Sequence, residues 1–292
     1  MTFEARFRKA NKGIAKSSVK TYLSNIKRLA KLGGHEQVPD SSAWLNKNLL
    51  GKIKKQNLNT RKILAAAAVK VFRAFKKEPG DWSSLMMKAT GEYGSMREKR
   101  QKTKREKMLW PKGGYKAMWD AAQKFKKGID LQPKSIKGLR ELQDLWLLEF
   151  FATHTPRLIE DTRIDGKGPN VLRGGKSGWT LVLKKHKTSK VRGATTIKLD
   201  KRLNETTNAF VKALRRMRKP YLLVNANGDQ MSKASLSKRL VFITGKAGLK
   251  GFSVQIARVL KSTLNKDLIN KAEQLEDEMG HGQRESRRYT KK

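Results

Sequence analysis

Apolar residues recur at helical spacing along most of this chain, and in one stretch the period drops to two. That stretch holds TLVLKK (Thr180 to Lys185) and ATTIKL (Ala194 to Leu199), separated by the polar turn HKTSKVRG. Alternation over so few residues suits short strands, and a turn of that composition predicts a β-hairpin with a mobile, basic tip. Everything around it reads as helix. The expected class is therefore mainly α with a small β-sheet, an α+β protein.

Ahead of the hairpin, Val19, Tyr22, Leu23, Ile26, Leu29 and Leu32 form the apolar stripe of a helix over 17–32 whose other face is basic. A second helix is expected around Trp44 to Ile53. A third follows a cap at Asn59 or Thr60 and runs through LAAAAVKVFRAF, and a fourth spans Ser83 to Glu92. These four helices with no strand signal form one all-α domain over 1–93. Residues 94–107, GSMREKRQKTKREK, carry almost no apolar side chain and cannot pack a core, so they are read as a basic linker. Within it Arg97, Lys99, Arg100, Lys102, Lys104 and Arg105 form a strap suited to a phosphate backbone; a solvated helical extension is the alternative. The second domain covers 108–292. Its helices are expected at 114–127 and 139–151 before the hairpin, and at 202–218, 233–247, 253–264 and 267–279 after it.

Charge narrows the partner. Lys+Arg 67 against Asp+Glu 25 leaves +42 over 292 residues, far more than solubility requires. Such an excess repels itself in a compact state unless a polyanion neutralises it, and nucleic acid is the commonest one. No stretch approaches the roughly 18 to 20 apolar residues of a membrane span, and the N-terminus lacks the apolar core of a signal peptide, so an intracellular chain is expected. With no cysteine and four scattered histidines, disulfides and thiolate metal sites are excluded and no metal is expected.

The second domain also carries THTPRLIED, KKHKTSK, SVQIAR, EMGHG and RRYTKK, in that order. The set resembles the catalytic domain of the tyrosine recombinases, the phage integrase family. The pattern there is an arginine, a hairpin lysine, a His-x-x-arginine helix, a Gly-His after the next helix and then a tyrosine. The resemblance covers roughly residues 139 to 292, and the four-helix basic domain before it is similar to the family's core-binding domain. It implies duplex DNA as substrate, cut and rejoined through a 3′-phosphotyrosyl intermediate without any cofactor. By the same resemblance Arg157 and Arg258 would clamp the phosphate, and Glu160 would support them. Lys187 would act as general acid, with Lys185 and Lys190 competing for that role. His281 would hydrogen-bond the scissile phosphate or help the tyrosine lose its proton, Gln255 would add a neutral hydrogen bond, and Tyr289 would be the nucleophile. Leu158, Ile159, Ile256, Val259 and Leu260, which flank the two arginines, are expected in the core.

Those residue types suit the chemistry. Charge that builds on phosphate oxygens in a metal-free site is met by guanidinium forks, which stay ionised and match two oxygens at once. A leaving sugar hydroxyl needs a proton, which a lysine supplies if its surroundings lower its value from about 10.4. The chain departs from the family in three places. Gln255 stands where histidine is usual, the Gly-His to tyrosine interval is about one residue shorter, and only Thr290, Lys291 and Lys292 follow Tyr289. Two rival functions stay open. One is a type IB topoisomerase, against which stands the ESRR that precedes Tyr289; the other is an integrase-derived protein that binds DNA without cutting it. A recombinase of this kind is expected to be a DNA-associated intracellular protein, monomeric when free and tetrameric on paired sites.

Overall fold

The computed structural model describes residues 2–99, 104–154, 159, 161–175, 177–186, 193–249 and 253–279. The described chain is mainly helical with a three-stranded antiparallel sheet, and it divides into two units, Met1–Lys102 and Thr103–Lys292.

In the first unit, five helices are described: α1 (Phe3–Ala10), α2 (Lys16–Leu32), α3 (Lys47–Lys54), α4 (Leu58–Ala74) and α5 (Asp81–Glu98). The alanine-rich α4 is the central one, and α1, α2, α3 and α5 all pack on it. Its Ala65, Ala67 and Ala68 are fully buried, because side chains this small let neighbouring helices approach closely. Helix α4 begins two residues earlier than the sequence suggested. Asn57, not Asn59 or Thr60, is the cap, accepting a hydrogen bond from the Thr60 amide at 3.0 Å. Helix α1 was not anticipated; Phe3 and Phe7, four residues apart, both enter the core.

The segment read as a linker is in part helical. Helix α5 runs past Glu92 to Glu98, and α6 (Lys104–Leu109) follows, so 94–98 and 104–107 are regular structure. Lys, Arg, Glu and Gln are good helix formers, and a helix that is already packed continues through them without an apolar stripe.

The second unit is built around α8 (Ile136–Thr153), against which α7 (Lys116–Lys126), α9 (Asn204–Arg216) and α10 (Lys233–Lys246) all pack. From Leu142 to Ala152 every residue of α8 is buried, polar ones included. A helix enclosed on all sides needs partners for most of the polar groups it buries, Glu149 Oε2 being an exception here. Gln143 finds them in both backbone groups of Val224, donating to its oxygen at 3.2 Å and accepting from its amide at 2.7 Å. Trp146 donates to Thr207 Oγ1 at 3.0 Å and stacks on Phe150 with ring centroids 5.0 Å apart. Asp144 takes a two-point ion pair from Arg239 of α10, with Arg239 Nε donating at 2.7 Å. Burial pushes the Asp144 carboxyl up, and the guanidinium offsets only part of that rise.

Strands β1 (Asn170–Gly175), β2 (Gly178–Leu183) and β3 (Thr195–Lys198) lie in sequence order, with β2 in the middle. The hairpin expected from the period-two stretch is the β2–β3 pair, in which Leu181 faces Ile197. Trp179, Leu181 and Leu183 point inward, as their spacing requires, and the Trp179 indole donates to Asn208 Oδ1 of α9 at 2.9 Å. Strand β1 escaped the sequence reading because NVLRGG lacks alternation. At its end Gly174 holds φ at 140°, and a Cβ there would overlap the Gly178 carbonyl oxygen. After α10 come α11 (Val254–Leu264) and α12 (Lys266–Met279). Among the described residues no helix is long and apolar enough to cross a membrane.

Candidate functional site

Of the residues expected at the site, Gln255 and Arg258 are described. Arg157, Glu160, Lys187, His281 and Tyr289 lie outside the described residues, as do Arg100 and Lys102 of the basic segment. Arg97 falls in α5, and Lys104 and Arg105 in α6. Lys99 follows the last turn of α5 and is exposed.

Helix α11 turns Val254, Ile256, Ala257 and Leu260 into the core and leaves Gln255 and Arg258 exposed. Of the apolar neighbours expected inside, Ile159, Ile256 and Leu260 are buried, Val259 is half-buried, and Leu158 lies outside the described residues. Gln255, Arg258 and Lys261 succeed one another at intervals of three, so they share one face of the helix. Lys261 anchors that face. Its ammonium approaches the Thr153 carbonyl oxygen at 3.5 Å and lies 4.7 Å from the centre of the Tyr115 ring. The polar face of α11 is thereby held at the C-terminal end of α8, whose chain leads directly into the segment that contains Arg157.

The end of α8 is satisfied by side chains rather than by a further turn of helix. The Tyr115 hydroxyl lies against the carbonyls of Phe151 and His154, the latter at 3.1 Å. Burial pushes the Tyr115 phenol far above its ordinary value, in keeping with a neutral hydroxyl that donates to these carbonyls. His154 stacks on Phe150 at 5.1 Å, its Nδ1 is 2.8 Å from Thr153 Oγ1, and its Nε2 accepts from the Asp200 amide at 3.1 Å. Burial holds the imidazole below its ordinary value, in keeping with a neutral ring whose Nε2 is an acceptor. Through it the end of α8 is tied to the residues that follow β3.

A second tie runs through Asn170, which is 2% exposed. Its amide nitrogen donates to Asp161 Oδ1 at 2.7 Å and to the Lys185 carbonyl at 2.8 Å, and its oxygen accepts from the Lys185 amide at 2.9 Å. One buried side chain therefore joins the residue after Glu160 to the base of the hairpin that carries Lys187. Across that base, His186 Nε2 lies 3.1 Å from the Gly193 oxygen and 3.2 Å from Thr195 Oγ1. Arg163 extends the arrangement: its backbone bridges both Val171 and Tyr221, and its guanidinium is paired with Asp165. That pairing holds the exposed Asp165 carboxyl down at about 2.

The described part of the site is thus a framework. It ties the C-terminal end of α8 to α11 and to the residues that follow β3, and the segment entered at Asp161 to the base of the β2–β3 hairpin. Asn170, His154, Tyr115 and Lys261 build it, and the sequence reading singled out none of them. THTPR contained His154, and an asparagine opening an apolar run was the one local sign of Asn170. Among the described residues no cluster of His, Asp and Glu suited to a metal ion occurs. No protein-family model matches the chain, and no curated protein matches its sequence.

Proposed function

We propose that the chain is a DNA strand transferase of the tyrosine-recombinase type, acting on duplex DNA through Tyr289. The observation that carries this reading is the ordered set Arg157, Lys187, Gln255 with Arg258, His281 and Tyr289 in a chain of net charge +42. The face shared by Gln255, Arg258 and Lys261, held where α8 gives way to the Arg157 segment, supports it. So does the Asn170 tie between the Glu160 and Lys187 segments.

In this reading Arg157 and Arg258 bind the non-bridging oxygens of the scissile phosphate, with Glu160 steadying the first of them. Tyr289 loses its proton in this electropositive surrounding and its oxygen attacks phosphorus. The bond to the 5′ oxygen breaks as Lys187 delivers a proton to it. The products are a 3′-phosphotyrosyl ester and a free 5′ hydroxyl. Gln255 and His281 add hydrogen bonds to the phosphate. Attack on the ester by the 5′ hydroxyl of another strand reverses the steps and completes the exchange, so neither a nucleotide nor a metal is consumed. Exchange between two duplexes requires four protomers, assembled on DNA from monomers. The protein is then intracellular and DNA-associated.

A duplex nicked beside the cleavage point traps the ester, because the short 5′ fragment diffuses away. Full-length protein should form a protease-resistant adduct that peptide mapping places on Tyr289, and Tyr289→Phe should bind DNA equally well without forming it. An adduct on another tyrosine, or one that persists in Tyr289→Phe, overturns the assignment. Gln255 favours a second reading, a DNA-binding protein without cleavage, since an amide neither takes nor gives a proton at the phosphate. Binding without adduct in the parent protein would establish it, and relaxation of supercoiled plasmid without site preference would point instead to a topoisomerase.

A further inference from the structure

Where α9 ends, the chain reads RRMRKPY. There Ile164, Asp165, Arg215, Arg218, Lys219 and Pro220 line a cavity of about 280 Å³. Its apolar part is Ile164 and Pro220, joined by a hydrogen bond from the Ile164 amide to the Pro220 carbonyl oxygen at 2.9 Å. Its charged part is cationic. The one carboxylate in the lining, Asp165, is already engaged by the Arg163 guanidinium, with Arg163 Nε donating at 2.9 Å. Among the described residues Arg215, Arg218 and Lys219 form no ion pair, so three cations line one cavity with no carboxylate of their own.

The turn that carries them is strained at Arg218, whose φ is 54°, in the left-handed region. It closes the helix, the Lys219 amide donating to the Leu214 carbonyl at 2.8 Å and the Arg218 amide to the Arg215 carbonyl at 3.0 Å. Glycine is the usual residue at such a position, because a side chain there crowds the backbone. Arginine costs the fold a strain that glycine would avoid, and what it adds is a guanidinium at the cavity.

The cavity stands apart from the residues proposed to cut DNA. Arg216, beside Arg215, donates to the carbonyl oxygens of Gln132, at 3.3 Å, and of Pro133, just ahead of α8. Helix α9 therefore ends beside the N-terminal end of α8. His154 and Lys261 hold the opposite end, about 27 Å away along a helix of 18 residues.

Charge and size select the ligand. Guanidinium forks match the oxygens of a phosphoryl group, and a lysine adds a point charge. A phosphomonoester carries close to two negative charges at neutral pH, which three cations balance better than they would a single carboxylate. We propose that this cavity binds a phosphoryl dianion, free or carried by a small organic molecule, with Arg215, Arg218 and Lys219 on its oxygens and Ile164 and Pro220 against the group that carries it. This ligand site is separate from strand transfer and does not depend on that reading.

Ile164 reports occupancy directly. In full-length protein with labelled isoleucine methyl groups, its resonance is identified by its loss in Ile164→Val. At constant ionic strength it should shift saturably with inorganic phosphate and with adenosine 5′-monophosphate, and stay in place with acetate. Tighter binding of the nucleotide assigns an organic phosphomonoester as the ligand; binding of inorganic phosphate at least as tight assigns the free ion. Arg215→Gln should weaken either ligand about tenfold, the loss expected for one charge-assisted hydrogen bond. Arg218→Gly should weaken it as much and leave the melting temperature unchanged or raised, because glycine adopts the left-handed turn without strain. A purely structural arginine would not give that pair of results. The proposal is overturned if neither phosphate moves Ile164, if acetate moves it with similar affinity, or if both variants bind as the parent does. It is equally overturned if only duplex DNA moves Ile164, which would make these cations part of the DNA surface. A missing adduct on the nicked duplex defeats the cleavage reading and leaves this test intact.

Discussion

Replacing Asn170 by alanine removes the three hydrogen bonds that join Asp161 to Lys185. Each such bond contributes about 1 kcal/mol net, and a partner left dry costs more. Lys185 is an exposed residue, so water can re-solvate part of its backbone, and the loss should be about 2–3 kcal/mol. For a unit of this size that corresponds to a fall in melting temperature of roughly 5–10 °C. Calorimetry on the full chain, following the transition of the second unit, measures it. Asn170→Asp supplies the contrast. It keeps the acceptor for the Lys185 amide but sets a second carboxylate against Asp161, where the Asn170 amide now lies at 2.7 Å. At neutral pH this variant should be less stable than Asn170→Ala, and it should recover as pH falls towards 4, because protonating one carboxyl restores a donor. If the proposed function holds and Asn170 ties together the segments proposed to carry Glu160 and Lys187, both variants should also form adduct more slowly than their DNA affinity would suggest. A melting shift below about 2 °C for Asn170→Ala, or an Asn170→Asp variant with no added pH dependence, would refute the reasoning.

Asp144→Ala strands the Arg239 guanidinium and should cost about 3 kcal/mol by urea denaturation; Arg239→Met in the same chain should restore at least half of it, since the unpaired charge is then gone. Burial keeps the folded-state value of His154 below its ordinary 6.5, so its contribution to stability is complete above that value and is lost as pH falls through the lower folded one. Melting curves between pH 7.5 and 5 should therefore converge for the parent and His154→Gln as pH falls, and a constant separation would count against a buried neutral ring. If the basic segment lies along DNA, neutralising Arg97, Lys99, Arg100, Lys102, Lys104 and Arg105 should reduce the salt slope of binding by up to about 0.9 for every phosphate left without its cation, with sequence preference retained. An unchanged slope would remove that segment from the interface.

Much of the secondary structure was legible because periodicity is local. The stripe from Val19 to Leu32 belongs to α2, and the alternation of Leu181 and Leu183 belongs to β2, which begins at Gly178, ahead of the expected Thr180, since each pattern reports one face turned inward. The elements missed were those that a partner decides. NVLRGG becomes a strand by pairing with β2, and α1 is a helix whose two phenylalanines complete another element's core. The end of α5 shows the converse, for a helix anchored upstream continues through charged residues that carry no apolar stripe.

The sequence by itself determined the helical class, the place of the hairpin, the excess of positive charge that suits a polyanion, and the order of the residues proposed for catalysis. These are properties of composition and of short-range spacing. Only the tertiary structure decided what holds those segments in place. Asn170 gains its role because Asp161 and Lys185 meet in space though 24 residues apart, and Lys261 because α11 ends against Thr153, 108 residues earlier in the chain. Phe242 likewise looks like one more core residue in LVFITG until packing turns Leu240 and Ile243 inward and leaves the ring in water. A helical repeat shows that a stripe exists, but which residues at its margin find a neighbour depends on the helices packed beside it.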